Sequence, residues 1–148
     1  MAAQFDHEKL RAYQDALKFV VWVGPIIEEL PSKLAARDQL DRASTSIALN
    51  IAEGNGKRST TDRCRYLDIA RGSCLECAAT LDVLVARQKL TTATVGEGKD
   101  LLIGIVSMIA GLIGRFSGAV NEDQALYEAG AFAAVRTRTR KRMRTSRN

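Results

Sequence analysis

Apolar residues recur at helical spacing in four stretches of this chain, and no stretch shows the strict alternation of a strand. The first stretch opens with Asp6 as a capping residue, and Phe5 and Leu10 stand at the two positions of a hydrophobic staple. Its stripe is Leu10, Tyr13, Leu17, Val20, Val21 and Ile27. Pro25 after Gly24 predicts a bend or local break, and Leu30-Pro31-Ser32 ends the element.

The second stretch runs from about Leu34 to Ala52, with Leu40, Ala43, Ile47 and Ile51 inward and small residues Ala36, Ser44, Ser46 and Ala48 beside them. Gly54-Asn55-Gly56-Lys57-Arg58 is the strongest breaker in the chain. Ser59 or Thr60 then caps a third helix to about Gln88, striped by Leu67, Ala70, Cys74, Cys77, Leu81 and Leu84. A fourth helix is expected after Thr94, whose partner Glu97 completes a capping-box spacing, and continues through Leu102, Ile105, Ile109, Leu112 and Phe116. The fold class is therefore all-α: an antiparallel up-down-up-down four-helix bundle over residues 1–118 with a basic C-terminal extension. The pattern allows a further short helix over 119–135, around Asn121 to Val135, and residues 136–148 read as a flexible basic tail.

The fourth helix is apolar nearly all round and punctuated by Gly104, Gly111, Gly114 and Gly118. Each glycine weakens a helix interior but lets another backbone come close. A second apolar face on a small bundle favours a subunit interface, hence an oligomer. The charge-free stretch Leu101 to Gly114, between Asp100 and Arg115, is 14 residues long. That is short of the ~20 a spanning helix needs, so a buried helix and no membrane association are expected.

Composition changes the picture mainly through charge. The 148 residues carry 22 Lys and Arg against 17 Asp and Glu, a net +5. Seven of the cations, Arg136, Arg138, Arg140, Lys141, Arg142, Arg144 and Arg147, fall in the last 13 residues, which hold no acid. Residues 1–135 are thus slightly acidic, and the basicity belongs to the tail. Three cysteines exclude a disulfide-stapled secreted module and fit a reducing cytoplasm.

Catalytic chemistry is poorly served. The only histidine, His7, stands at the start of the first helix, so Ser-His-Asp, Cys-His, two-histidine metal and Glu-x-x-His arrangements are missing. Cys74 and Cys77 form a C-x-x-C within an apolar stripe, where two small buried hydrophobes are the favoured reading. No metal, no cofactor and no enzymatic activity are expected. The Gly54-Asn55-Gly56-Lys57 turn lacks the Walker pattern. Its freed backbone N–H groups, with Lys57, Arg58 and the helix start that follows, form a candidate phosphate contact, set against a solvated tight turn. A hairpin centred near Lys57 would bring Arg42 level with Gly72 and within reach of Glu76 as a partly buried ion pair, with Ser46 facing the region of Asp68.

That hairpin carries a signature. Gln39-Leu40-Asp41-Arg42-Ala43-Ser44-Thr45-Ser46-Ile47, then Asn50-Ile51-Ala52-Glu53-Gly54, then Ile69-Ala70-Arg71-Gly72-Ser73 with Glu76, resembles the four-helix-bundle family named after the 23S rRNA intervening-sequence protein. The resemblance covers about residues 5–116. It implies a left-handed antiparallel bundle, a homopentamer in related proteins, and no enzymatic activity. A related branch serves diversity-generating retroelements as an accessory protein that binds a reverse transcriptase and nucleic acid. Arg42, Asn50, Glu53, Gly54, Arg58, Gly72, Ser73 and Glu76 are carried over, mainly as folding and assembly residues. Two functions follow as expectations: an oligomeric accessory protein that binds RNA or DNA through Lys57, Arg58 and the tail, or a scaffold for a polypeptide partner such as a reverse transcriptase.

Overall fold

A computed structural model describes the backbone of residues 2–145 and the side chains of residues 2–118. A single 3-10 turn, η1 (Asp6–Lys9), precedes α1 (Arg11–Glu29), α2 (Ala35–Gly56), α3 (Thr60–Ala86) and α4 (Thr92–Thr145). No strand occurs among the described residues. Each helix packs on its neighbours in chain order, and α4 closes the ring on α1; the backbones of the diagonal pairs do not approach each other closely. This is the up-down-up-down four-helix bundle that short loops between apolar stripes require. The stripes of α2, α3 and α4 lie inside, with Leu40, Ile47, Ile51, Cys74, Cys77, Leu81, Leu84, Ile105 and Ile109 wholly buried. Burying one such large aliphatic side chain contributes about 1.5–3 kcal/mol.

Helix α1 departs from the expected stripe. Its buried face is Ala12, Ala16, Phe19 and Val23, while Leu17 and Val21 are exposed. The helix is apolar on two sides, and the alanines allow Phe19 to sit deep against the bundle. Pro25 lies inside a helix that runs on unbroken to Glu29. The carbonyl it leaves unpaired is that of Val21, on the exposed side where water can reach it. The start also differs. The Phe5 ring is exposed and stacks on His7, so no staple forms; the Phe5 N–H donates to the Glu8 carboxylate at 2.6 Å instead.

The largest correction concerns the glycine segment. Gly54, Asn55 and Gly56 are the last turn of α2, and the chain breaks at Lys57-Arg58-Ser59. No described glycine has a positive φ. Gly54 is there for packing: a Cβ on it would lie 2.9 Å from the Cβ of Tyr66 on α3. The Ser59 hydroxyl accepts from the Asp62 N–H at 3.1 Å and starts α3 as expected. Across the hairpin, Ser46 meets Ser73 and Gly54 meets Tyr66, so its midpoint lies near Thr60 rather than Lys57. Helix α4 begins three residues early because Thr91, not Thr94, supplies the cap, accepting from the Thr94 N–H at 3.1 Å.

Thr92–Gly118 is long and apolar enough to cross a membrane by length and composition alone, and only 17% of its apolar window is buried in the bundle. The 14-residue expectation stopped at Asp100 and so understated this helix. The backbone of α4 runs on without a break to Thr145, so 119–135 continue the fourth helix rather than form a separate short one, and 136–145 of the expected flexible tail are helical; the side chains beyond 118 lie outside the described ones.

Candidate nucleic-acid interface

Three segments distant in sequence converge at one pole of the bundle. The η1 turn is tied to the end of α2 by the Asn55 amide, which donates to the Asp6 carboxylate at 3.0 Å. The α2–α3 turn, Lys57 to Ser59, lies there by construction. Helix α4 reaches the same place, where Cys64 Sγ and Ser117 Oγ stand 3.9 Å apart.

The α2–α3 turn gathers cations on aromatic supports. Lys57 caps α2, its N–H bonded to the Gly54 carbonyl at 3.2 Å, and its ammonium lies 4.9 Å from the centre of the Tyr66 ring. The Arg65 guanidinium lies 5.4 Å from the same ring. Arg63 donates from Nε to the Lys57 carbonyl at 2.7 Å, and its guanidinium lies 5.2 Å from the centre of the Phe116 ring on α4. Arg58 is exposed on the turn. One acid answers this charge directly: Asp62, 3.4 Å from Arg65 in a largely solvated pair. Such pairs hold weakly and yield readily to a stronger anion.

The candidate phosphate contact is therefore a side-chain feature. The backbone N–H groups of Gly54 and Gly56 belong to a helix and form no cradle. Lys57 and Arg58 stand where the sequence placed them, at a turn, Arg58 exposed and Lys57 half-buried. Arg63, Arg65, Tyr66 and Phe116 were not singled out; the Arg63-x-Arg65-Tyr66 spacing next to Lys57-Arg58 was the available signal. Arg136, Arg138, Arg140, Lys141, Arg142, Arg144 and Arg147 lie outside the described side chains.

The carried-over motif residues divide into two groups. Ser73 donates to Ser46 Oγ at 2.8 Å, and the Asn50 amide donates to Ser46 Oγ and to the Ser46 carbonyl, both at 2.9 Å. With Gly54, these fix the α2–α3 crossing. Arg42, Glu53, Gly72 and Glu76 are exposed. The expected Arg42–Glu76 ion pair is not formed: Arg42 pairs with Asp38 one turn back on its own helix. The register is not the reason, since it leaves Glu76 within a turn of the level of Arg42; both side chains are exposed, and Arg42 is taken by the nearer Asp38. Gly72 has open space around it.

Cys74 and Cys77 are buried, and burial raises both thiols from the ordinary 9.0 to about 12. For Cys77 the neighbouring Cys74 and Glu76 add to the rise. Thiols held this firmly protonated are packing groups, not nucleophiles. Among the described residues no three His, Cys, Asp or Glu side chains stand close enough to hold a metal.

Two apolar grooves flank α4. One, of about 490 Å³, lies against α3 and is lined by Leu75, Ala78, Leu102, Ile103 and Val106 with Lys99 at its edge. The other, of about 570 Å³, lies against α1 and includes Leu17, Val21, Trp22 and Leu101. Ile103 is 68% exposed, and the positions facing Gly104 and Gly111 are empty to 4 Å.

Comparison with known proteins agrees with this architecture. A crystal structure of a protein of unknown function from the S23 ribosomal protein family of Bacteroides thetaiotaomicron superposes with a TM-score of 0.65 at 22% identity, covering 69% of this chain and 97% of the other. No curated protein matches the sequence. The family of the 23S rRNA-intervening sequence protein matches residues 8–111, most of the bundle. This chain belongs to the 23S rRNA-intervening sequence protein family.

Proposed function

We propose that this chain is a non-enzymatic accessory protein that assembles into oligomers and binds nucleic acid through its phosphates, without reading sequence. The observation that carries the reading is the cationic pole. Lys57, Arg58, Arg63 and Arg65 gather where α4 leaves the α2–α3 turn. The seven cations from Arg136 to Arg147 follow further along the sequence. Phosphate neutralisation of this kind supplies affinity and strong salt dependence but no base discrimination. Assembly is supported by the apolar, glycine-marked outer face of α4, and several copies of one cationic pole would multiply the affinity. Three free cysteines, two of them buried, suit a reducing compartment such as the cytoplasm.

Filter binding of RNA and DNA at rising salt, with the full chain and with residues 136–148 removed, tests this. Binding that weakens with salt and with truncation is expected. Affinity indifferent to both overturns the reading.

The grooves beside α4 favour a second reading, in which the outer face of the bundle takes a polypeptide partner such as a reverse transcriptase and nucleic acid plays no direct part. Co-purification of one defined protein, surviving nuclease treatment, distinguishes the two.

A further inference from the structure

We infer that the α2–α3 turn is a phosphate clamp for a nucleic-acid backbone, in which Lys57, Arg58 and Arg65 make the contacts and Tyr66 holds two of them in place. The inference rests on the proposed nucleic-acid role and assigns it to particular side chains of the folded body.

Four features carry it. Lys57 and Arg65 approach the same aromatic ring, at 4.9 and 5.4 Å. Arg63 joins the turn to α4, bonding the Lys57 carbonyl at 2.7 Å while its guanidinium lies against Phe116. Long cationic side chains ordinarily lose much rotamer freedom when they bind, and a fixed aromatic rest removes part of that cost beforehand. Tyr66 itself is fixed, because its Cβ packs against the helical Gly54. The competing acid, Asp62, touches Arg65 alone and from solvent. What the arrangement recognises is a run of phosphates. Nothing in it offers a bidentate donor–acceptor pattern for a base edge, and cations already rest on the Tyr66 ring.

Tyr66 is thus a positioning residue and the cations are the binding groups. The test uses the full-length protein and a short, fluorescein-labelled, mixed-sequence RNA strand, with affinity measured by anisotropy across a series of KCl concentrations. In the variant K57Q/R58Q/R65Q the slope of log affinity against log salt should fall by about 2, the release expected for three phosphate contacts on a single strand. Y66F should keep the wild-type affinity and slope. Y66L, which keeps the Cβ against Gly54 but removes the ring, should lose about 5- to 30-fold in affinity, as two exposed cation–π contacts imply. Its urea midpoint, measured in parallel, should remain close to that of Y66F. Arg63 is left untouched because it also closes the turn.

An unchanged slope in the triple variant, with binding abolished by removing residues 136–148, overturns the clamp and leaves the nucleic-acid role standing. Wild-type protein that fails to bind the RNA at low salt overturns both. Polyglutamate competing with the RNA as well as unlabelled RNA does would transfer the pole to acidic polypeptides and also overturns the inference.

Discussion

The indole of Trp22 on α1 occupies the place where a side chain on Gly98 of α4 would begin: a Cβ there would stand 2.2 Å from Trp22 Cζ3. The closure of the bundle between its first and last helices therefore requires glycine at 98. Gly98→Ala should destabilise the protein by about 1–3 kcal/mol, the usual effect of overpacking, despite the better helix propensity of alanine. Urea denaturation measures it. Combining it with Trp22→Leu should recover part of the loss, as expected for two residues that share one volume.

The remaining glycines should separate by their surroundings. Gly54→Ala drives a methyl group into Tyr66 Cβ and the Arg63 carbonyl and should cost about 1–3 kcal/mol. Gly104→Ala and Gly111→Ala meet nothing within 4 Å, so each should raise the stability of the isolated chain by up to ~1 kcal/mol. If α4 faces a second subunit, the same two substitutions should lower the native mass measured by light scattering. Greater stability with unchanged mass would exclude that face as the interface.

Across the α2–α3 hairpin, the buried serines should matter more than the exposed ions. Ser73→Ala removes the 2.8 Å bond to Ser46 and should cost about 1 kcal/mol. Arg42→Ala breaks only a solvated pair with Asp38, and Glu76→Gln touches no ion pair, so each should stay within about 0.5 kcal/mol of wild type. Thermal melts of the three variants provide the comparison.

How much of this was legible in the sequence depended on whether a rule is local. The inward stripes of α2, α3 and α4 follow from periodicity alone, and the Ser59 cap from its spacing to Asp62. The α1 face was not legible, because Leu17 and Val21 offer as good a stripe as Ala12, Ala16, Phe19 and Val23. Only the neighbouring helices decide between them. Glycines misled in the opposite way: Gly54 and Gly56 read as a break, yet both are helical, and at Gly54 the neighbouring helix recovers the backbone cost through close approach. One misplaced turn end shifted the whole hairpin register, and the Arg42–Glu76 pair fails for a separate reason: both side chains are exposed, and Arg42 finds Asp38 on its own helix. In the candidate interface, Lys57 and Arg58 were visible as a charged turn. Phe116 was not, since its meeting with Arg63 joins residues more than fifty positions apart.

The buried thiols set an alkaline limit. Their folded-state values near 12 lie above the ordinary 9.0, so the folded state holds protons that the unfolded chain releases. Their contribution to stability is full below about pH 9 and is lost progressively as pH rises from there to about 12. The urea midpoint of wild-type protein should fall more steeply between those pH values than that of C74A/C77A, although the variant starts lower because it loses buried volume. At neutral pH a thiol reagent should modify the half-buried Cys64 well before Cys74 or Cys77.

The convergence of η1, the α2–α3 turn and α4 at one pole leaves the other pole with only two connections, Leu30–Leu34 and Arg87–Thr91. Extra residues there lengthen a loop whose closure entropy grows slowly, and they stand a full helix length from the cations. Gln88 takes a left-handed conformation, at φ 59°, in a cap that closes α3 with the Lys89 and Leu90 N–H groups on the Leu84 carbonyl, and Leu90 packs on the core, so the exposed Ser32 and Lys33 are the freer site. An affinity tag or fluorescent domain inserted between Ser32 and Lys33 would therefore report on the assembled protein while leaving its charged end unencumbered.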